Sequence, residues 1–145
     1  MCSPGTNGLF RGFGIVSASL YNPGSTRDAT RNTCRSFNRD SSVVFEAGQS
    51  DSFISYQGLG REGHYQWGQQ EGAGFVAGGY GCSARPTTSY FGNAGTLRRD
   101  VYSGCPMKNR AVGLISVPGG GHAYNIDGVQ GLNSEAQIWN FWVSH

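Results

Sequence analysis

Charge is scarce in this sequence of 145 residues: Asp, Glu, Lys and Arg make up 14% of it, against roughly 25% in an average soluble domain. The formal net charge of +2 rests on scattered arginines, and only Arg98 and Arg99 adjoin. With no basic stripe to follow a phosphate backbone, nucleic acid is not an expected partner. Long apolar runs are missing too. Stretches such as Ile15-Val16 and Val43-Val44-Phe45 fall far short of the ~20 residues that span a bilayer, so no membrane role is expected. Cys-x-x-Cys pairs and Cys/His clusters at zinc-ligand spacing are absent, which argues against metal held by thiolates. Met1-Cys2-Ser3-Pro4 offers neither the basic n-region nor the apolar h-region of a signal peptide.

What the chain has in excess is glycine, 24 residues, against an expectation of about 7%. Such a chain is loop-rich, yet long enough to bury a core as one domain or a piece of a larger one. Its four cysteines, Cys2, Cys34, Cys82 and Cys105, read as two disulfides formed in an oxidising compartment. Three connectivities are open. Cys2–Cys34 with Cys82–Cys105 is favoured, and the second bridge would close a short loop and contribute about 3 kcal/mol by constraining the unfolded chain. The contrary reading is four buried free thiols in the cytosol.

The patterning points to an α/β layer architecture with few strands, in one unit spanning 1–145 without repeat or linker. A short buried strand is expected around Phe13 to Ser17, closed off by the turn residues Asn22-Pro23-Gly24. Ser42-Val43-Val44-Phe45-Glu46, stopped by Ala47-Gly48, reads as a central parallel strand covered on both faces. Thr96 to Tyr102 has strand character, and Val112 to Val117 is a second buried strand ending in Pro118-Gly119-Gly120-Gly121-His122. Ahead of Thr96, Ala84 to Gly95 reads as turn. A glycine-weakened helix is expected around Tyr65 to Ala77, against intrinsic propensity. Asn133 or Ser134 caps a last helix with Glu135 in its first turn. Its residues Ile138, Trp139, Phe141 and Trp142 share a face expected to pack in the core.

Two residues follow buried strands directly, where open α/β sheets build their ligand sites: Asp51 and His122. The three glycines ahead of His122 leave little bulk to shield the imidazole and allow backbone conformations closed to other residues. A carboxylate at Asp51 can accept a ring N–H, fix the tautomer and stabilise the imidazolium of a general base. The plainer alternatives are a solvent-facing loop histidine and, at Asp51, an Asx-turn or helix N-cap, with Ser50 and Ser52 competing for the cap. His64, in a Gly/Gln-rich stretch, and His145, at the terminus, read as solvated. Glu46, Glu71 and Asp100 are candidates for a glycosidase carboxylate pair, but no spacing puts two of them at one site. The nucleophile is missing. An α/β-hydrolase carries it on Gly-x-Ser-x-Gly, in the chain order serine, acid, histidine. The nearest approach here is Gly48-Gln49-Ser50-Asp51-Ser52, which lacks the second glycine and already holds the acid.

Together, several segments resemble the C-terminal half of the secreted feruloyl esterase and polyhydroxybutyrate depolymerase-like group of α/β-hydrolases. Leu9-Phe10-Arg11-Gly12-Phe13-Gly14-Ile15-Val16-Ser17 is similar to the helix exit and strand that follow the nucleophile elbow in that group. Val43 to Gly58 is similar to its strand and acid loop, usually His-Gly-x-x-Asp followed by Pro-Tyr. Here Glu46-Ala47 stands for His-Gly, and Ser55 for the proline before Tyr56. Gly81-Cys82 with Tyr102-Ser103-Gly104-Cys105 resembles a cysteine pair that these esterases bond. Gly119-Gly120-Gly121-His122 and Ile138-Trp139-Asn140-Phe141-Trp142 resemble the histidine loop and final helix, with Ala123-Tyr124-Asn125 in place of Thr-Trp-Pro.

The resemblance implies the C-terminal part of an α/β-hydrolase fold, a mostly parallel sheet with flanking helices. It implies Asp51 as triad acid, His122 as general base, and Cys2 bonded to Cys34. It implies a secreted protein with no cofactor, acting on esterified plant polysaccharide or a small aromatic or acyl ester. The nucleophilic serine and oxyanion-hole amides would lie ahead of Met1, in a missing N-terminal half, leaving this chain inactive alone. A rival reading is a non-catalytic carbohydrate-binding module that presents Tyr65, Trp67, Tyr80, Tyr90 and Tyr124 as stacking faces; it would be all-β and lack the last helix. A small disulfide-stabilised interaction protein is a third, and would not bring Asp51 near His122.

Overall fold

Strand β3 (Ser42–Gly48) is buried along its whole length, as its run of apolar residues demands of a strand covered on both faces. It lies in a computed structural model that describes residues 10–23, 40–61, 64–123 and 132–145. Cys2, Cys34 and Tyr124 lie outside the described residues, and with them the expected Cys2–Cys34 bridge. In chain order, β3 is preceded by β1 (Gly12–Val16) and β2 (Tyr21–Pro23). It is followed by β4 (Leu59–Arg61), β5 (His64–Gln66), α1 (Gln69–Tyr80), β6 (Thr87–Phe91), β7 (Leu97–Tyr102), β8 (Val112–Val117) and α2 (Ser134–Ser144).

Five strands form one sheet in the order β1-β3-β8-β7-β6. β1 and β8 flank β3 in parallel, whereas β8 with β7 and β7 with β6 are antiparallel. The sheet is therefore mixed, not mostly parallel as expected. The reason lies in the connections. Strands β6 and β7 are joined by a short link with Gly92 and Gly95 at φ 80° and 63°, and so short a link can only reverse the chain. The stretch read as turn thus holds the edge strand β6 and a single 3-10 turn, Asn93–Gly95. A second, three-stranded antiparallel sheet has the order β2-β5-β4.

Alternate residues of the large sheet face opposite helices. Val43, Phe45 and Leu114 pack with Ala73, Val76, Ala77 and Tyr80 of α1. Val44, Ile115 and Val117 pack with Ile138 and Phe141 of α2 on the other side. α2 comes so close that a Cβ on Gly113, mid-strand in β8, would sit 2.6 Å from the Phe141 ring. This close approach is what a glycine in a strand interior permits.

Helix α1 begins later than expected because Tyr65 and Gln66 pair in β5 with β2 and β4. It runs on to Tyr80, where Gly81 at φ 73° turns the chain out while the amides of Gly81 and Cys82 cap the last carbonyls. Its glycines weaken it, and burial of Gln69, Gly72, Ala73, Val76, Ala77 and Tyr80 holds it in place. The Cys82–Cys105 disulfide ties its end to the β7–β8 connection. Asn133 caps α2 as expected, its side chain accepting from the Ala136 amide at 2.8 Å. The aromatic face is only partly core: Ile138 and Phe141 are buried, but Trp139 is 61% exposed and meets Trp142 edge-on.

Candidate active site

Because β3 and β8 run parallel with Gly48 opposite Val117, the chain leaves both strands at the same edge of the sheet. Backbone hydrogen bonds stitch the two exits together: Gln49 N–H donates to Val117 O at 2.9 Å and Ser50 N–H to Gly120 O at 2.9 Å. Gly119, at φ 71°, turns the chain immediately after β8. That conformation suits glycine and strains other residues.

These exits bring the two expected residues into contact. His122 Nδ1 lies 2.9 Å from Asp51 Oδ2. The other carboxylate oxygen, Oδ1, accepts the amides of Phe53 and Ile54, each at 2.8 Å. One oxygen thus makes the Asx-turn and the other meets the imidazole. The Asp51 side chain is 2% exposed and the His122 side chain 42%. Burial by itself raises the Asp51 carboxyl. The Ile54 amide, the His122 ring, the Phe53 amide and the His122 charge outweigh it and hold the group below its ordinary range. An ionised Asp51 only accepts, so the neutral ring donates Nδ1–H to it and leaves Nε2 as a basic acceptor.

Three further residues shape the site that sequence reasoning did not select. Tyr56 OH and Ser116 Oγ form a buried 2.6 Å hydrogen bond, strapping the acid loop to the strand that carries the histidine loop. The available signal was Ser116, the one polar residue in Val112-Gly113-Leu114-Ile115-Ser116-Val117. Phe53 is 73% exposed, and its ring tilts against the His122 imidazole with centroids 5.2 Å apart.

The other candidates go elsewhere. Glu46 is buried on the α2 face, where Ser134 Oγ donates to it at 2.9 Å. Asp100 shares register with Leu114 and Phe45 on the opposite face, engaged by Arg98 at 3.0 Å and Thr88 at 2.6 Å. Glu46 and Asp100 therefore lie on opposite faces of the sheet and form no glycosidase pair, and Glu71 lies on α1. His145 is not a solvated terminal ring: it stacks on Phe141 at 4.6 Å, with Nδ1 3.0 Å from Phe141 O. The side chains of His64 and Tyr65 lie outside the described residues. Trp67 and Tyr80 are buried and present no stacking face, whereas Tyr90 is exposed. Ser50 and Ser52 are exposed, and among the described residues no hydroxyl is hydrogen-bonded to His122 Nε2. An apolar groove between β1 and α2, lined by Gly14, Val16, Ile138, Trp139 and Trp142, contains neither Asp51 nor His122.

No family model, curated protein or solved structure matches this chain. Among the described residues, no group of His, Cys, Asp or Glu is arranged to hold a metal. No helix among them is long and apolar enough to cross a membrane.

Proposed function

We propose that Asp51 and His122 are the acid and base of a serine carboxylesterase. In this reading the sheet is the C-terminal part of an α/β-hydrolase fold, and a segment outside this sequence supplies the nucleophile and oxyanion hole. The single observation that carries the reading is the 2.9 Å contact between His122 Nδ1 and a buried Asp51 carboxylate, at the edge where two parallel strands end. The Cys82–Cys105 bond accords with a secreted protein. The substrate class is a feruloyl or acetyl ester on plant cell-wall polysaccharide, and the exposed Phe53 beside the imidazole offers an apolar surface to the acyl group.

The chemistry follows from the ring. His122 Nε2 takes the proton from the serine hydroxyl as its oxygen bonds to the ester carbonyl carbon. Asp51 remains ionised and stabilises the imidazolium. The imidazolium then gives that proton to the departing alkoxide as the ester C–O bond breaks, leaving an acyl-serine. Water attacks the acyl carbon with Nε2 again as base, and the serine is regenerated. The sequence carries no Gly-x-Ser-x-Gly elbow, so in this reading the chain alone should not turn over esters. In the longest polypeptide that carries these residues, His122→Ala should lower kcat for methyl ferulate or p-nitrophenyl acetate at least about a thousandfold. A kcat unchanged by His122→Ala overturns the assignment.

A further inference from the structure

The C-terminal end of β1 emerges at the same edge as Asp51 and His122, because β1 is parallel to β3 with Val16 opposite Glu46. The residue at that exit is Ser17. Its φ of 45° is left-handed; among the described residues Asn109 is the other non-glycine with positive φ, and asparagine tolerates that region well. A serine held there signals a local constraint. Two hydrogen bonds supply it. Ser17 N–H donates to Glu46 O at 2.9 Å, fixing the residue to β3. Ser17 Oγ donates to Ala123 O at 2.6 Å, across 106 residues of sequence.

Ala123 immediately follows His122, which itself follows three glycines. Glycine restricts the backbone least of all residues, so Gly121, directly before His122, does little to aim the ring. Within the glycine run Gly120 is anchored, its N–H on Val117 O at 3.1 Å and its carbonyl accepting from Ser50 N–H at 2.9 Å, which leaves Gly121 as the link to the ring. Beyond the ring the peptide carbonyl is held by Ser17. We propose that Ser17 is a positioning residue for His122. Its hydroxyl pins the carbonyl of the next residue so that Nδ1 faces Asp51, and the left-handed backbone aims that hydroxyl. This inference rests on the acid–base reading and adds a third strand exit to the site.

The test is a long-range proton–nitrogen NMR correlation of the His122 ring in the 145-residue chain, at about pH 8, above the ordinary histidine range. The unaltered chain should show one sharp Nδ1–H tautomer. Ser17→Ala keeps the Cβ and removes the hydroxyl; its His122 signals should move toward the average of two tautomers and broaden, with the β3 and β8 amide shifts unchanged. Ser17→Gly removes both hydroxyl and backbone strain. It should match Ser17→Ala in the His122 spectrum while melting at a higher temperature, so the ring signal follows the hydroxyl and not the stability of the fold, as a purely structural role would not have it. Asp51→Asn is the control. If Asp51→Asn alters the tautomer while both Ser17 variants keep the unaltered spectrum, the role of Ser17 is refuted and the acid–base pair stands. If Asp51→Asn leaves the tautomer unchanged, the pair itself is refuted.

Discussion

Replacing Asp51 by Asn and by Ala separates the work of its two carboxylate oxygens. Asparagine keeps a carbonyl oxygen for the amides of Phe53 and Ile54, which donate to Oδ1 at 2.8 Å. Its NH2 group replaces Oδ2 and faces His122 Nδ1, so the ring must carry its proton on Nε2. That nitrogen then donates and cannot take a proton from a hydroxyl. On the esterase reading, kcat of the nucleophile-bearing polypeptide should fall about 10,000-fold, while folding loses only the charge-assisted bond to His122, about 1 to 2 kcal/mol. Alanine removes the acceptor from all three donors. At about 1 kcal/mol each, the loss is about 3 kcal/mol, and at about 3 °C per kcal/mol for a chain of this size, melting should drop by about 10 °C.

The pH dependence of melting is the sharper assay. The folded Asp51 carboxyl is held below its ordinary range, so the folded state binds its proton less readily than the unfolded chain does. The stabilisation is therefore complete above about pH 4 and is lost as pH falls toward the lowered folded value. The gap between the unaltered chain and Asp51→Asn should shrink in that acid window. Circular dichroism melts from about pH 7 to about pH 2 cover it. A gap that stays constant into acid, or equal losses for Asn and Ala, would refute the division of labour between the two oxygens.

Two further expectations can be checked with the same melts. Tyr56→Phe removes the strap to Ser116 and leaves that buried hydroxyl without its partner; it should cost about 1 to 2 kcal/mol and lower kcat more than it raises KM. The double variant Cys82→Ser with Cys105→Ser frees a loop whose ends are 23 residues apart, a loss of about 3 kcal/mol in the chain-entropy account, and an unshifted melting temperature would contradict it.

Much of this fold is legible because its central strands are apolar on both faces. Val112–Val117 has the expected bounds, and β3 extends only to Gly48. Strand β6 was hidden because it is an edge strand with exposed Thr87, Thr88 and Tyr90. Its Thr, Tyr and Phe favour strands, but Pro86, Gly92 and Gly95 around them read as turn, and they bound the strand. The helix over Gln69–Tyr80 is visible in outline only, since its glycines oppose helix and its stability comes from the sheet beneath it. Strand direction is not written in strand composition; it follows from connection lengths, which is why β6 and β7 departed from the expected parallel sheet.

The site shows the same division. Asp51 and His122 stand out as residues at the ends of readable strands, yet they are 71 residues apart and nothing in their spacing makes them neighbours. Parallel pairing of β3 and β8 does. Strand β8 has six residues and spans about 20 Å at ~3.3 Å per residue. Had it paired with β3 in the antiparallel sense, as it does with β7, His122 would leave the sheet about 20 Å from Asp51. The same rule recruits Ser17, because β1 is the third strand in the parallel set. Tyr56 and Ser116 depend in turn on the acid loop folding back over β8. The residues proposed to carry chemistry are therefore those that follow the parallel strands, whereas Asp100, within the antiparallel β7, is taken up by Arg98 and Thr88 in packing the sheet.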